Sequence, residues 1–207
     1  MVKYVGDDMQ IRVLGQVDVL GAGGEIDVGG PRQRRLLGAL AAHPNTVVST
    51  ERLVEIVWED DPPDTARRVF RTYVNRLRRG LEDAEDGLDG NAVVVTRSPG
   101  YMLVVGDEQL DVLQAQQLVA EARRRRSVDP DVSSRLLADA LALWRGQPFG
   151  EFAAEEWAAP EAARLEELQV AVAEEWCAVR LELEDPIEVI PDLRRWIGDH
   201  PLREGLR

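Results

Sequence analysis

The sequence predicts an α+β domain over residues 1–106 followed by an all-α domain over residues 107–207. Three observations carry that division. Up to Gly106, short β-rich runs alternate with short amphipathic stretches punctuated by Gly, Pro and Asp; from Asp107 the composition turns to Ala, Leu, Glu and Arg with almost no β-branched runs, which is helical composition. The acid divides at the same place, since the formal charge of −13 is made of −3 before the division and −10 after it. A chain of 207 residues is also long enough for two small domains, each with its own core.

Taken in order, Ile11-Arg12-Val13-Leu14-Gly15 and Val17-Asp18-Val19-Leu20 read as short strands, and Gly21-Ala22-Gly23-Gly24 supplies turn positions before a third run, Glu25-Ile26-Asp27-Val28. Gly29-Gly30-Pro31 ends this small sheet. Pro31 suits a first helical position, and Leu36, Leu37 and Leu40 repeat at helical spacing until Pro44. A second short helix covers 52–58, with Ser49 or Thr50 as its cap and Leu53, Ile56 and Val57 as its apolar side. Pro62 and Pro63, behind Glu59, Asp60 and Asp61, force a loop, because proline lacks a backbone donor and disfavours helix in the residue before it. Asp64 or Thr65 then caps a third helix reaching Leu81. After an acidic, Gly- and Asp-rich connection at 82–91, the runs 92–97 and 101–105 form a hairpin through Ser98-Pro99-Gly100. Beyond it, helices are expected at about 111–126, 131–145, 154–184 with a break near Pro160, and 188–199. Their spacing fits stacked helix pairs, without a strict repeat of about 34 residues.

The third helix carries the most pointed chemistry. Residues 65–81 contain Arg67, Arg68, Arg71, Arg76, Arg78 and Arg79 and no acid, a local +6 inside an acidic protein. At 100° per residue, Ala66, Val69, Phe70, Tyr73, Val74, Leu77 and Leu81 gather on one side, leaving Arg68, Thr72, Asn75 and Arg79 opposite and Arg71, Arg76 and Arg78 on the flanks. Arginine pairs with phosphate or bidentately with guanine, and Asn does the same with adenine, so this face suits groove recognition. The plain alternative is a solvated surface helix whose arginines bridge acids of the second domain. Context favours the first. Three helices with the last one basic, followed at once by a hairpin with Arg97 near its tip, is the order of a winged helix-turn-helix, whose third helix enters the major groove.

Several segments also resemble one family. Ile11-Arg12-Val13-Leu14-Gly15, Gly29-Gly30-Pro31-Arg32-Gln33-Arg34, Val47-Val48-Ser49-Thr50-Glu51-Arg52-Leu53, Trp58-Glu59-Asp60-Asp61-Pro62-Pro63 and Thr72-Tyr73-Val74-Asn75-Arg76-Leu77-Arg78-Arg79 look like the Streptomyces antibiotic regulatory protein (SARP) family. So do Thr96-Arg97-Ser98-Pro99-Gly100-Tyr101, Ala140-Leu141-Ala142-Leu143-Trp144-Arg145-Gly146 and His200-Pro201-Leu202-Arg203-Glu204. The resemblance runs through nearly the whole chain in order. It implies an OmpR-type winged-helix domain followed by a bacterial transcriptional activator domain of tetratricopeptide-like helix pairs. It further implies activation of antibiotic biosynthesis promoters by binding direct repeats near the −35 region, as a homodimer on tandem repeats, with contact to RNA polymerase holoenzyme through its σ factor. Carried over, the recognition helix falls on 65–81, with Asn75, Arg76 and Arg78 at its groove-facing end, and the acidic loop Glu59, Asp60, Asp61 matches the polymerase-facing segment. Family members usually continue past the motif at 200–203, whereas this chain stops at Arg207, as a short form or one cut within the activator domain.

Other clusters weigh less. Arg32, Arg34 and Arg35 enter the first helix, where side chains and backbone amides hold phosphate as readily as they face solvent. The tetrad Arg123-Arg124-Arg125-Arg126 sits at a helix end, where positive charge complements the macrodipole. Trp144, Trp157, Trp176 and Trp196 are expected as core anchors, and Cys177 as a buried small hydrophobe. A single Cys excludes a disulfide framework and a Cys-rich zinc site, which fits a reducing, cytoplasmic setting. No run approaches the roughly 20 apolar residues of a membrane span, and residues 1–10 carry Asp7 and Asp8 in place of a signal's apolar run. No phosphate-loop, nucleophile-elbow or zinc-protease motif occurs, His43 and His200 have no evident partners, and the paired glutamates lack accompanying histidines. No enzyme activity, metal or cofactor is expected. Double-stranded promoter DNA is the expected partner; the other class considered is a helical adaptor whose basic helix docks an acidic protein surface.

Overall fold

The computed structural model describes residues 9–59, 62–63, 65–82 and 90–183. It opens with an antiparallel meander of β1 (Gln10–Arg12), β2 (Asp18–Gly21) and β3 (Gly24–Ile26). Register places Ile11 opposite Val19 and Val19 opposite Ile26, so alternate residues face the core, and Ile11 and Val19 are fully buried. Helix α1 (Pro31–Ala41) starts with proline in its first turn, where the missing N–H breaks no helical bond. Helix α2 (Thr50–Trp58) is capped by Ser49, whose hydroxyl accepts from the Arg52 amide at 3.1 Å. Helix α3 (Ala66–Glu82) is entered from Thr65, whose carbonyl accepts the Arg68 and Val69 amides; Asp64, the other expected cap, lies outside the described residues.

A second sheet, order β4-β6-β5, holds β4 (Val48–Ser49), β5 (Val94–Arg97) and β6 (Gly100–Leu103). The hairpin matches expectation; β4 does not, since a two-residue strand exists only through its pairing with β6. That pairing brings the backbones so close that a Cβ on Gly100 would lie 1.8 Å from the Val48 carbonyl oxygen, and only glycine fits. The predicted strand from Ala92 starts two residues late, because Gly90–Val93 form a helical turn, α4, packed on α3.

The second half is helical as expected, with α5 (Asp111–Arg125), α6 (Pro130–Ala142) and α7 (Ala159–Leu183). Asp129 caps α6 by accepting from Val132 at 3.1 Å. Helix α6 ends three residues before the predicted 145 for a tertiary reason: the Arg145 amide donates to the Leu14 carbonyl at 2.8 Å, and Phe149 to Val13 at 2.8 Å, drawing the chain back onto the first sheet. The expected break near Pro160 is the start of α7, preceded by a 3₁₀ turn at Gly150–Phe152. The helix predicted at 188–199 lies outside the described residues, as do Trp196 and the motif at 200–204.

The larger hydrophobic cluster crosses residue 106. It joins Ile11, Leu36, Leu53, Phe70 and Leu77 to Leu110, Trp144, Phe149 and Leu165, while a smaller cluster around Val119, Leu137, Val172 and Val179 lies among α5, α6 and α7. The joint is polar as well as apolar. Asp111, 1% exposed, accepts the Val13 amide at 2.9 Å and the Leu14 amide at 2.8 Å, and Arg145 bridges Asp111 at 3.4 Å and Asp18 at 3.1 Å. Burial raises the Asp111 carboxyl to about 6, although the two amides and Arg145 pull it down. Among the described residues, no helix is long and apolar enough to cross a membrane.

Candidate nucleic-acid interface

Helix α3 is divided as its sequence predicts. Ala66, Phe70, Val74, Leu77 and Leu81 are buried, Val69 and Tyr73 half-buried, and Arg67, Arg68, Arg71, Thr72, Asn75, Arg76 and Arg79 exposed. Residues 68, 72, 75 and 79 recur at helical spacing, so two guanidiniums, a hydroxyl and an amide share one outward stripe. Arg68, Arg71, Arg76 and Arg79 have no ion pair among the described residues; Arg67 reaches Glu51 at 2.9 Å.

Aromatic packing fixes how this stripe is presented. Trp58 stacks on Tyr73 with ring centres 5.4 Å apart, and Phe70 meets the edge of Tyr101 at 5.6 Å. The end of α2 and the strand β6 are thus both clamped to the inner side of α3. Sequence reasoning treats Trp58 only as the end of a helix; its position one loop before an aromatic pair at i, i+3 is the signal available.

Arg78 requires a correction. The family resemblance implies a place at the groove-facing end of the helix, but its guanidinium turns to the hairpin, donating to the Val94 carbonyl at 2.6 and 2.8 Å and to Thr96 Oγ1 at 3.0 Å, with the Tyr101 ring centre 6.0 Å away. Its flank position on the wheel put it nearest the strands, and an unpaired carbonyl at β5 draws a forked donor. Arg97 ends β5 exposed, beside the Ser98-Pro99 turn, with no ion pair among the described residues. Both the helix and the end of the hairpin therefore carry exposed arginine.

The α1 arginines separate. Arg34 pairs with Glu151 at 2.8 Å, and Arg35 with Glu155 at 2.6 Å and Glu59 at 2.7 Å, whereas Arg32 reaches Tyr73 Oη at 3.4 Å and the Trp58 ring at 5.9 Å and has no ion pair among the described residues. Glu59 follows α2 with φ of 56°; Asp60 and Asp61 lie outside the described residues. The tetrad at the end of α5 is occupied by acid: Arg123 by Glu175, Arg124 and Arg125 by Glu121, Arg126 by Glu182. Cys177 is buried, and Trp144 is buried with its indole nitrogen unpartnered among the described residues.

A three-helix core with an antiparallel hairpin behind a basic third helix, joined to a helical domain, defines a winged helix-turn-helix transcriptional regulator. Residues 25–103 match the C-terminal domain of transcriptional regulatory proteins, and residues 110–207 match the bacterial transcriptional activator domain. Transcriptional regulatory protein MoaR1 of Mycobacterium tuberculosis is 34% identical over 96% of this chain and 64% of its own. Regulatory protein DnrI of Streptomyces peucetius is 30% identical over 96% of this chain and 74% of its own, and regulatory protein AfsR of Streptomyces griseus 31% identical over the whole chain and 20% of its own. The solved structure of Mycobacterium tuberculosis EmbR in complex with a low-affinity phosphopeptide superposes with a TM-score of 0.89 at 27% identity, covering 96% of this chain and 52% of that one. The chain belongs to the Streptomyces antibiotic regulatory protein family of transcriptional regulators. It spans 64% of the length of MoaR1 and about half that of the EmbR chain.

Proposed function

We propose that this protein is a transcriptional activator that binds promoter DNA as tandem copies on direct repeats near the −35 region of biosynthesis genes, and recruits RNA polymerase. The observation that carries the DNA reading is the exposed stripe of α3, where Arg68, Thr72, Asn75 and Arg79, flanked by Arg71 and Arg76, face outward and form no ion pair among the described residues. Asn75 reads a base edge, the arginines hold phosphate or guanine, and Arg97 anchors the wing on a neighbouring phosphate. The acidic loop Glu59, Asp60, Asp61 meets a basic σ-factor surface.

A salt titration on promoter DNA is the test. Arg68, Arg71, Arg76, Arg79 and Arg97 are the candidate phosphate ligands, so log affinity falls against log salt with a slope near about −4 to −5, by roughly 0.9 per phosphate. Asn75→Ala weakens promoter binding by about 1–3 kcal/mol and random-sequence binding by less. Equal losses on both DNAs remove Asn75 from base readout. Asp60→Lys lowers transcription in a reconstituted assay without changing promoter affinity; unchanged transcription removes the loop from polymerase contact.

A further inference from the structure

Arg32 and Arg34 start the same helix turn yet differ in surroundings. Arg34 is paired with Glu151 at 2.8 Å, but Arg32 has no acid among the described residues. With Arg76 of α3, Arg32 lines a groove of about 460 Å³ whose other walls are Gly29, Gly30, Gln33 and Tyr73. Neither Arg32 nor Arg76 has an ion pair among the described residues, so two unneutralised guanidiniums meet at one concavity.

The start of α1 adds to that charge. Gly30 caps the helix without a side chain, Pro31 offers no N–H, and the first turn holds no acid, which leaves the positive end of the helix dipole uncompensated. The Gln33 and Arg34 amides share the Gly30 carbonyl at 3.0 and 3.1 Å; the Arg32 amide is the one left over. A second, independent observation points to a ligand. Gln33 is 5% exposed and its carboxamide makes no hydrogen bond among the described residues, yet neither of its polar atoms is fully enclosed, so the amide stays open at the groove it lines. Its side chain is folded over Gly29, whose φ of +105° and missing Cβ make the room: a Cβ there would stand 3.0 Å from Gln33 Cδ. A side chain held in place by burial, with its amide unpartnered within the protein, is positioned to donate to acceptor oxygens entering the groove.

We propose that this groove is a phosphate site that holds one backbone phosphate of the DNA on which α3 sits. Arg32 and Arg76 supply charge-assisted hydrogen bonds, and the Arg32 amide and Gln33 carboxamide supply neutral ones. The inference rests on the DNA reading above and adds an anchor to it: a phosphate gripped between α1 and α3 sets the angle at which α3 meets the groove. Arg34, held by Glu151, takes no part.

Fluorescence anisotropy with labelled promoter and random-sequence duplexes tests this against salt. Arg32→Gln is expected to lower affinity about tenfold on both duplexes and to reduce the salt slope by about one phosphate's share, roughly 0.9. Arg34→Gln is expected to change neither. Wild-type binding by Arg32→Gln overturns the DNA contact at this groove and leaves the DNA reading standing; failure of the wild-type protein to bind either duplex defeats that reading itself. A ¹H–¹⁵N spectrum titrated with inorganic phosphate provides the second arm and checks that the variants are folded. Saturable shifts of the Arg32 and Gln33 amides and of the Gln33 carboxamide, lost in Arg32→Gln, are expected. The same shifts with DNA affinity unaltered in Arg32→Gln assign the groove to a free anion and overturn the DNA contact, and unshifted amides overturn the site altogether.

Discussion

Arginine is used in opposite ways on the two sides of this molecule. In the helical half, Arg123, Arg124, Arg125, Arg126, Arg145 and Arg164 each reach a carboxylate. On α3 and the hairpin, Arg68, Arg71, Arg76, Arg79 and Arg97 reach none among the described residues. The side chains are identical, so packing makes the difference: the six in the helical half lie within reach of a carboxylate, whereas the outward stripe of α3 and the end of β5 form no ion pair among the described residues. A whole-chain charge of −13 hides that face. Runs of arginine therefore acquire meaning from what they pack against, and the four at 123–126 brace α5 against α7 and against themselves.

The largest effect is expected at the joint between the halves. Asp111→Ala removes the acceptor of two buried amides and the partner of Arg145, and is expected to cost about 3 kcal/mol or more in urea denaturation. Loss below about 1 kcal/mol would show that the joint contributes little beyond its apolar contacts. The same carboxyl gives a pH signature. Because burial raises it from 3.8 to about 6, the folded state holds its proton more tightly than the unfolded state. Its stabilising share is complete below pH 3.8 and is lost as pH rises through 6. Wild type is thus expected to gain on Asp111→Asn as pH is lowered from neutral to about 4, by up to about 3 kcal/mol. A constant gap between the two across that range breaks the assignment.

Arg78 sharpens the contrast within α3 itself. Arg78→Ala is expected to lower stability by about 1–2 kcal/mol, through loss of the forked bond to Val94, and to leave the salt slope of DNA binding unchanged. Arg79→Ala is expected to do the reverse, with stability within about 0.5 kcal/mol of wild type and a shallower slope. Smallest of all is Arg123→Ala, an exposed pair with Glu175, expected to cost under about 1 kcal/mol.

Much of the fold is legible in the sequence because its local signals agree. Pro31 at a helix start, the Ser49 hydroxyl at the next, the double proline at 62–63 and the Ser98-Pro99-Gly100 turn each limit the backbone within a few residues. The exposed stripe Arg68, Thr72, Asn75, Arg79 follows from helical periodicity alone. Arg76 and Arg78 do not separate that way: both sit on the flanks, and only the hairpin's position assigns Arg78 to β5 and leaves Arg76 to the groove beside α1. Strand β4, the early end of α6 at Ala142 and the Asp111–Arg145 joint are illegible for the same reason, since each depends on a partner far away in sequence.

The sequence by itself determined the order of elements, the amphipathic division of α3 and the concentration of positive charge on it, since these depend on spacing and composition over a few residues. Tertiary structure alone decided which arginines stay free. An ion pair is set by the distance between side chains, and Arg34 meets Glu151 across more than a hundred residues while Arg32, two positions away, meets Tyr73 and Trp58 and no acid among the described residues.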